Sequence, residues 1–242
     1  MAHNRKSIGA ARKQLKGSTL LIREPFIWTE KQNIIIECIL SKKTKAVFIA
    51  GPPGVGKTEL AVFAGLRSLQ SNAQQRVLYV RTIVESASNR LGFLPGTDAE
   101  KISPYMQVFA EKLEGMLNPN EIDDLTKNKK LIAMPNNFIR GRDLKDSIVI
   151  ADEFQNYTFL EAKSLTSRLG ENSKIVYLFD PEQSDIASRY RHDASNFRDI
   201  FNDEESKEQG IFCFSFDESE IKRSEFCKFV MQKLKLANPA NP

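Results

Sequence analysis

The chain has 242 residues, 41 % of them hydrophobic and 27 % charged, with a formal net charge of +4. At about 100–200 residues per domain this is one large domain or two small ones, and the composition excludes wholesale disorder and a collagen-like chain. Three cysteines without a C-x-x-C pair (Cys38, Cys213, Cys227) and two histidines (His3, His192) exclude a disulfide scaffold, a zinc ribbon and a histidine-rich metal centre. They fit a reducing compartment, and a cytoplasmic location is expected. No apolar run approaches the roughly 18 residues of a spanning helix, and the N-terminus lacks the apolar stretch of a secretory signal, so no membrane association is expected.

Charge is placed unevenly. Residues 1–23 hold six basic residues and no acid, which leaves 29 basic against 31 acidic residues, a net −2, for the remainder. Such an arm suits nucleic acid or another anionic surface; a solubilising tail is the alternative. Residues 1–20 are read as a flexible basic arm and 21–242 as one domain.

In chain order, Thr29 is a candidate N-cap for a helix over Glu30–Leu40. Ala46–Ala50 is a short apolar strand ending at a glycine turn, followed by a helical pattern from Lys57 to about Gln70. Arg76–Thr82 is a second strand. Residues 85–130 read mostly as loop and helix, with an amphipathic stretch at Met106–Met116 broken at Asn118, Pro119 and Asn120. Ser147–Ala151 is a third strand, a helix follows from about Thr158 to Leu169, and Lys174–Phe179 is a fourth strand. Asp203–Glu208 reads as a solvated acidic turn, Ile211–Phe216 as a fifth strand, and about Glu220–Leu236 as a closing helix. Apolar strands alternating with helices predict an α/β fold, a mostly parallel sheet covered on both faces. In such sheets ligands sit at the carboxyl ends of the strands.

Two motifs fall there. Gly51, Pro52, Pro53, Gly54, Val55, Gly56, Lys57 and Thr58 match G-x-x-x-x-G-K-[ST] in full. The glycines let successive backbone N–H groups face inward around a phosphate, and the following helix adds its positive dipole end. Lys57 can reach the β- and γ-phosphates of ATP, Thr58 can ligate Mg²⁺, and Glu59 continues the loop into the helix. The second motif is Ile148–Glu153, an apolar strand closed by two acids. Asp152 would hold Mg²⁺ and Glu153 would orient or deprotonate the attacking water. An acid at the water position marks an ATP hydrolase and argues against a kinase, and no N-K-x-D guanine-reading sequence occurs.

Supporting residues surround these two. Gln183, after the fourth strand, can touch the γ-phosphate and the water. Gln32 carries a donor and an acceptor and can pair with the adenine edge. Arg140, Arg142 and Arg223 can neutralise phosphate charge, in the same subunit or a neighbouring one, or contact nucleic acid. Phe154 and Tyr157 follow the acids; packing is favoured for them over stacking on a base. Phe179, Phe212, Phe214 and Phe216 are expected in the core.

Together these residues resemble the PhoH-like ATPase family, a relative of the first motor domain of superfamily 1 helicases, over roughly Phe26 to Leu236. Beyond the phosphate loop, the resemblance rests on three segments. They are Leu91–Gly96 with Glu100, Lys101, Pro104 and Tyr105; Phe138–Arg142, similar to Y-[IM]-R-G-R; and Asp152–Asn156, similar to D-E-A-Q-N with Phe154 at the small position. Residues 179–183 stand where the family pattern is G-D-x-x-Q, and Arg223 matches a late arginine. The resemblance implies a RecA-like phosphate-loop NTPase domain using ATP and Mg²⁺. A translocating helicase of the monomeric type needs two such domains, about 400 residues. One domain suggests instead a homo-oligomeric ring, a hexamer, acting on RNA or single-stranded DNA. The alternative is a nucleotide-gated binding scaffold with slow turnover and no motor action.

Overall fold

The computed structural model describes residues 20–72, 75–82, 98–139, 141–183, 186, 190, 192–222, 226, 229, 230 and 233. Six strands are defined: β1 Ala46–Ala50, β2 Arg76–Arg81, β3 Leu131–Pro135, β4 Ser147–Asp152, β5 Lys174–Phe179 and β6 Ile211–Ser215. They form one sheet in the order β3-β2-β4-β5-β1-β6, and every neighbouring pair is parallel. The helices are α1 Glu30–Leu40, α2 Lys57–Ser71, α3 Asp98–Glu114, α4 Pro119–Lys127, α5 Phe159–Thr166, α6 Asp193–Ile200 and α7 Glu204–Glu208. The α/β class read from the sequence is thus the observed one. Among the described residues no helix is long and apolar enough to cross a membrane.

The strands are apolar throughout because both faces are covered. Side chains of a strand alternate between faces, and the two cores divide accordingly. Val47, Ile49, Val77, Tyr79, Ile148, Ile150, Val176 and Leu178 join one core with α1 to α4. Phe48, Leu78, Val80, Val149, Ala151, Ile175, Tyr177 and Phe179 join the other with α5 and α6. Capping boxes start three helices: Thr29 with Gln32 for α1, Asn118 with Glu121 for α4, and Thr158 with Glu161 for α5.

Several details differ from the sequence reading. β3, α4 and α6 were not anticipated. The preceding helix ends already at Glu114, and Asn118-Pro119 instead opens α4, with proline in the first turn where no N–H is needed. The acidic run at 203–208 is a short helix rather than a turn, because the Asp203 side chain accepts the Ser206 N–H. Phe179 and Phe216 are buried as expected, whereas Phe212 and Phe214 are half-buried because β6 is an edge strand. Of the closing helix expected from about Glu220, Phe226, Phe229, Val230 and Lys233 are described and helical; Glu218–Glu220 form a separate 3-10 turn, after which Ile221 is extended. The arm at 1–19 also lies outside them.

At the amino end of β5 the Lys174 ammonium is buried and donates to the carbonyls of Ile39 (2.6 Å) and Ser41 (2.8 Å), closing the C-terminus of α1. Burial pushes its pKa down to about 8. The unfolded chain then binds more protons than the folded one from about pH 8 up to the ordinary lysine value, so stability rises with pH across that window. The neutral amine keeps N–H donors for the same carbonyls. Urea midpoints of the wild type relative to Lys174→Met are expected to shift in favour of the wild type between pH 7.5 and 9.5. A constant difference would contradict this.

Candidate active site

The carboxyl ends of β1, β5, β4 and β2 lie side by side, and each is followed by a polar segment. After β1, residues 51–56 form a loop with Gly51, Gly54 and Gly56 at φ +152°, +92° and +80°. A side chain on Gly51 would meet Phe216 Cβ at 2.8 Å, and one on Gly56 would meet Phe26 Cζ at 3.1 Å and Gln32 Nε2 at 3.3 Å. Glycine is therefore required both for the turn and for the close neighbours. Gly56 N-caps α2 in the left-handed region with no side-chain cap, unlike α1, α4 and α5. The first N–H groups of a 15-residue helix thus stay available to an anion, with the helix dipole behind them. Gly56→Ala is expected to cost about 1–2 kcal/mol from the left-handed backbone alone, read as a lower thermal midpoint, and to weaken nucleotide binding. A variant as stable as the wild type would contradict the loop geometry.

Lys57 lies back along the loop, its Nζ donating to the carbonyls of Gly51 (2.5 Å) and Pro52 (3.0 Å). Burial pushes its pKa down, opposed by the charges of Asp180, Asp152, Glu153 and Glu59. Thr58 Oγ1 donates to Asp152 Oδ1 at 3.3 Å, joining the two residues expected to hold Mg²⁺. The buried Tyr79 hydroxyl donates to Asp152 Oδ2. Burial and the Asp152 charge raise the Tyr79 pKa, so it stays a donor. Both carboxylate oxygens of Asp152 are thereby oriented. Glu59 pairs instead with Lys112 at 3.3 Å, on the flank of the loop. Among the described residues no group of three or more His, Cys, Asp or Glu forms a metal cage. The donor set fits Mg²⁺, which is held by one or two protein oxygens while substrate phosphates and water supply the rest.

Glu153 follows β4 in the left-handed region, φ 51° and ψ 42°, an uncommon conformation for a side-chain-bearing residue. Its Oε1 lies 3.3 Å from Arg81 Nη2, and its Oε2 accepts from Gln155 Nε2 at 2.5 Å. The Gln155 Oε1 accepts the Asp180 N–H at 3.2 Å, tying β4 to the end of β5. Arg81, Gln155 and Tyr79 were not singled out from the sequence as functional. Gln155 was visible only inside the D-E-A-Q-N resemblance, and nothing in sequence marks a strand-terminal arginine or tyrosine for this position.

Other expected residues fall as follows. Gln32 is buried; its Nε2 donates to the Val55 carbonyl (2.9 Å), and its Oε1 accepts from Thr29 N (2.9 Å) and Lys222 Nζ (3.0 Å). In this arrangement both lone pairs of the amide oxygen have donors, and Gln32 braces the phosphate loop. Lys222 adds to the brace. Its N–H donates to Gly54 O (2.9 Å), and its ammonium lies 4.4 Å from the Phe26 ring centroid. Pro53 and Gly54 are half-buried on the loop, and Val55 is buried beneath it. Gln183 is exposed on the turn after β5, the strand between β1 and β4, with its N–H on Asp180 O at 3.3 Å. Arg142 is exposed on the segment between β3 and β4, its N–H on Ile139 O at 3.0 Å. Arg140 and Arg223 lie outside the described residues. Phe154 and Tyr157 are fully buried: the Phe154 ring packs among Phe48, Tyr157, Tyr177, Phe179 and Phe197, so its bulk enters the core rather than the phosphate side.

A parallel sheet with a glycine loop and an open helix N-terminus after one strand, and two acids after another, defines an α/β nucleotide-binding domain of the phosphate-loop class. The chain belongs to the PhoH-like protein family, whose model matches residues 27–235. It is 38 % identical over 157 residues to the PhoH-like protein of Mycobacterium tuberculosis, covering 65 % of this chain and 44 % of that one. It is 34 % identical over 164 residues to Protein PhoH2 of Mycolicibacterium smegmatis, covering 67 % and 38 %. The PhoH-like protein of Synechocystis sp. is 29 % identical over 214 residues, covering 88 % and 63 %. The chain thus spans less than half the length of the first two of these relatives. Among solved structures, the Hef helicase domain of Pyrococcus furiosus aligns with 84 % of this chain and 41 % of its own at 15 % identity and a TM-score of 0.47, a distant likeness.

Proposed function

We propose that the chain binds ATP with Mg²⁺ in this cleft and hydrolyses it, working on RNA or single-stranded DNA in the cytoplasm as a homo-oligomeric ring, a hexamer. The observation that supports this most is the uncapped, glycine-lined start of α2, with Lys57 donating to carbonyls of its own loop and two acids at the end of β4. Phosphate oxygens would replace those carbonyls on Lys57, a stronger charge-assisted pairing. Thr58 and Asp152 would hold Mg²⁺, which when bound neutralises charge on the β- and γ-phosphate oxygens. Glu153 accepts a proton from the attacking water, and Gln183 orients that water or the γ-phosphate. Arg140, Arg142 and Arg223 are the candidates for phosphate neutralisation across a subunit interface. The exposed position of Arg142 leaves it accessible to a neighbouring subunit.

The ring is tested by light scattering with and without Mg–ATP, alongside specific activity over a dilution series. A hexamer whose activity falls on dilution is expected. A monomer with undiminished turnover at every dilution would overturn the ring.

A further inference from the structure

The parallel register places Arg81, the last residue of β2, opposite Asp152, and its guanidinium reaches the neighbouring Glu153. β2 lies on the flank of β4 away from β5 and β1. Glu153 is thus held between the end of β2, through Arg81, and the end of β5, through Gln155 and Asp180. Its second oxygen is taken by Gln155. With a donor on each oxygen, the carboxylate is less basic toward an attacking water than a free one.

The restraint is a weak one. Arg81 and Glu153 are 38 % and 37 % exposed, and an ion pair at 3.3 Å with that exposure contributes little net free energy. The two non-bridging oxygens of a phosphodiester offer the guanidinium a bidentate pairing in place of the single contact it makes with Glu153. Tyr105, half-buried on α3, is close enough to Arg81 for the guanidinium charge to act on its hydroxyl.

We propose that Arg81 is a positioning residue that parks Glu153 and releases it when a phosphate of a single-stranded polynucleotide takes the guanidinium, so that hydrolysis follows occupancy by the polymer. This rests on the hydrolase reading above. No bond is made or broken by Arg81 itself; it exchanges one anionic partner for another.

The test measures steady-state ATP hydrolysis and polymer affinity for the full chain, Arg81→Ala and Arg81→Lys, with and without single-stranded RNA and DNA. Arg81→Ala is expected to raise unstimulated kcat several-fold toward the stimulated wild-type rate, with KM for ATP unchanged. The polymer should then add less than about twofold, and the salt slope of polymer affinity should flatten by about 0.7, the share of one phosphate contact. Arg81→Lys, which keeps the charge, should retain stimulation. A fall in unstimulated kcat, or the same stimulation factor in Arg81→Ala as in the wild type, would overturn the proposal. So would a wild type that neither polymer stimulates. Lys57→Ala, run in parallel, separates the two questions: if it hydrolyses like the wild type, the hydrolase reading itself is wrong.

Discussion

Glu153→Gln should lower kcat for ATP hydrolysis by about 10²–10⁴-fold, the usual contribution of a positioned general base, with nucleotide affinity retained. The substitution keeps the length and shape of the side chain, so the left-handed turn at 153 and the start of the 3-10 helix at Phe154 are expected to persist. What it removes is the proton acceptor. Glu153 makes no hydrogen bond to Lys57 or Thr58; its partners are Arg81 and Gln155. Nucleotide binding should therefore survive, and a fluorescent-nucleotide titration alongside phosphate release separates the two effects. Loss of affinity without loss of kcat would assign Glu153 to binding instead.

Lys57→Ala should weaken nucleotide binding by about 10–150-fold, from the roughly 1.5–3 kcal/mol of a hydrogen bond to a charged group. Its half-buried ammonium feels the charges of four acids, Asp180, Asp152, Glu153 and Glu59. Without the cation that negative field acts on the incoming phosphates uncompensated, so the upper end of the range is expected. Calorimetric titration with a non-hydrolysable ATP analogue reads the change directly. An affinity within twofold of the wild type would mean that the phosphates bind elsewhere.

The central unit of the fold was legible because its signals are local. The strand Ala46–Ala50, the glycine loop and the helix from Lys57 follow one another without interruption, and Ile148–Glu153 announces its strand and acids in six residues. Elements with weak local signals were missed. β3 is only five residues long, and its backbone pairs with β2 from a position more than fifty residues away. α6 has eight residues and no side-chain N-cap. The site shows the same division. Lys57, Thr58, Asp152 and Glu153 are named by motif, but Arg81 meets Glu153 across 72 positions through the β2–β4 register, and a sequence does not display register. Gln32 shows the converse: its amide chemistry was readable, but not the capping box and the Val55 carbonyl that engage it here.

The most direct test of the account is steady-state release of phosphate from ATP with Mg²⁺ by the full chain, against Lys57→Ala, with single-stranded RNA, single-stranded DNA or no polymer. Hydrolysis abolished in the variant and stimulated in the wild type by at least one polymer is the predicted result. No hydrolysis above the variant under any of the three conditions would contradict it.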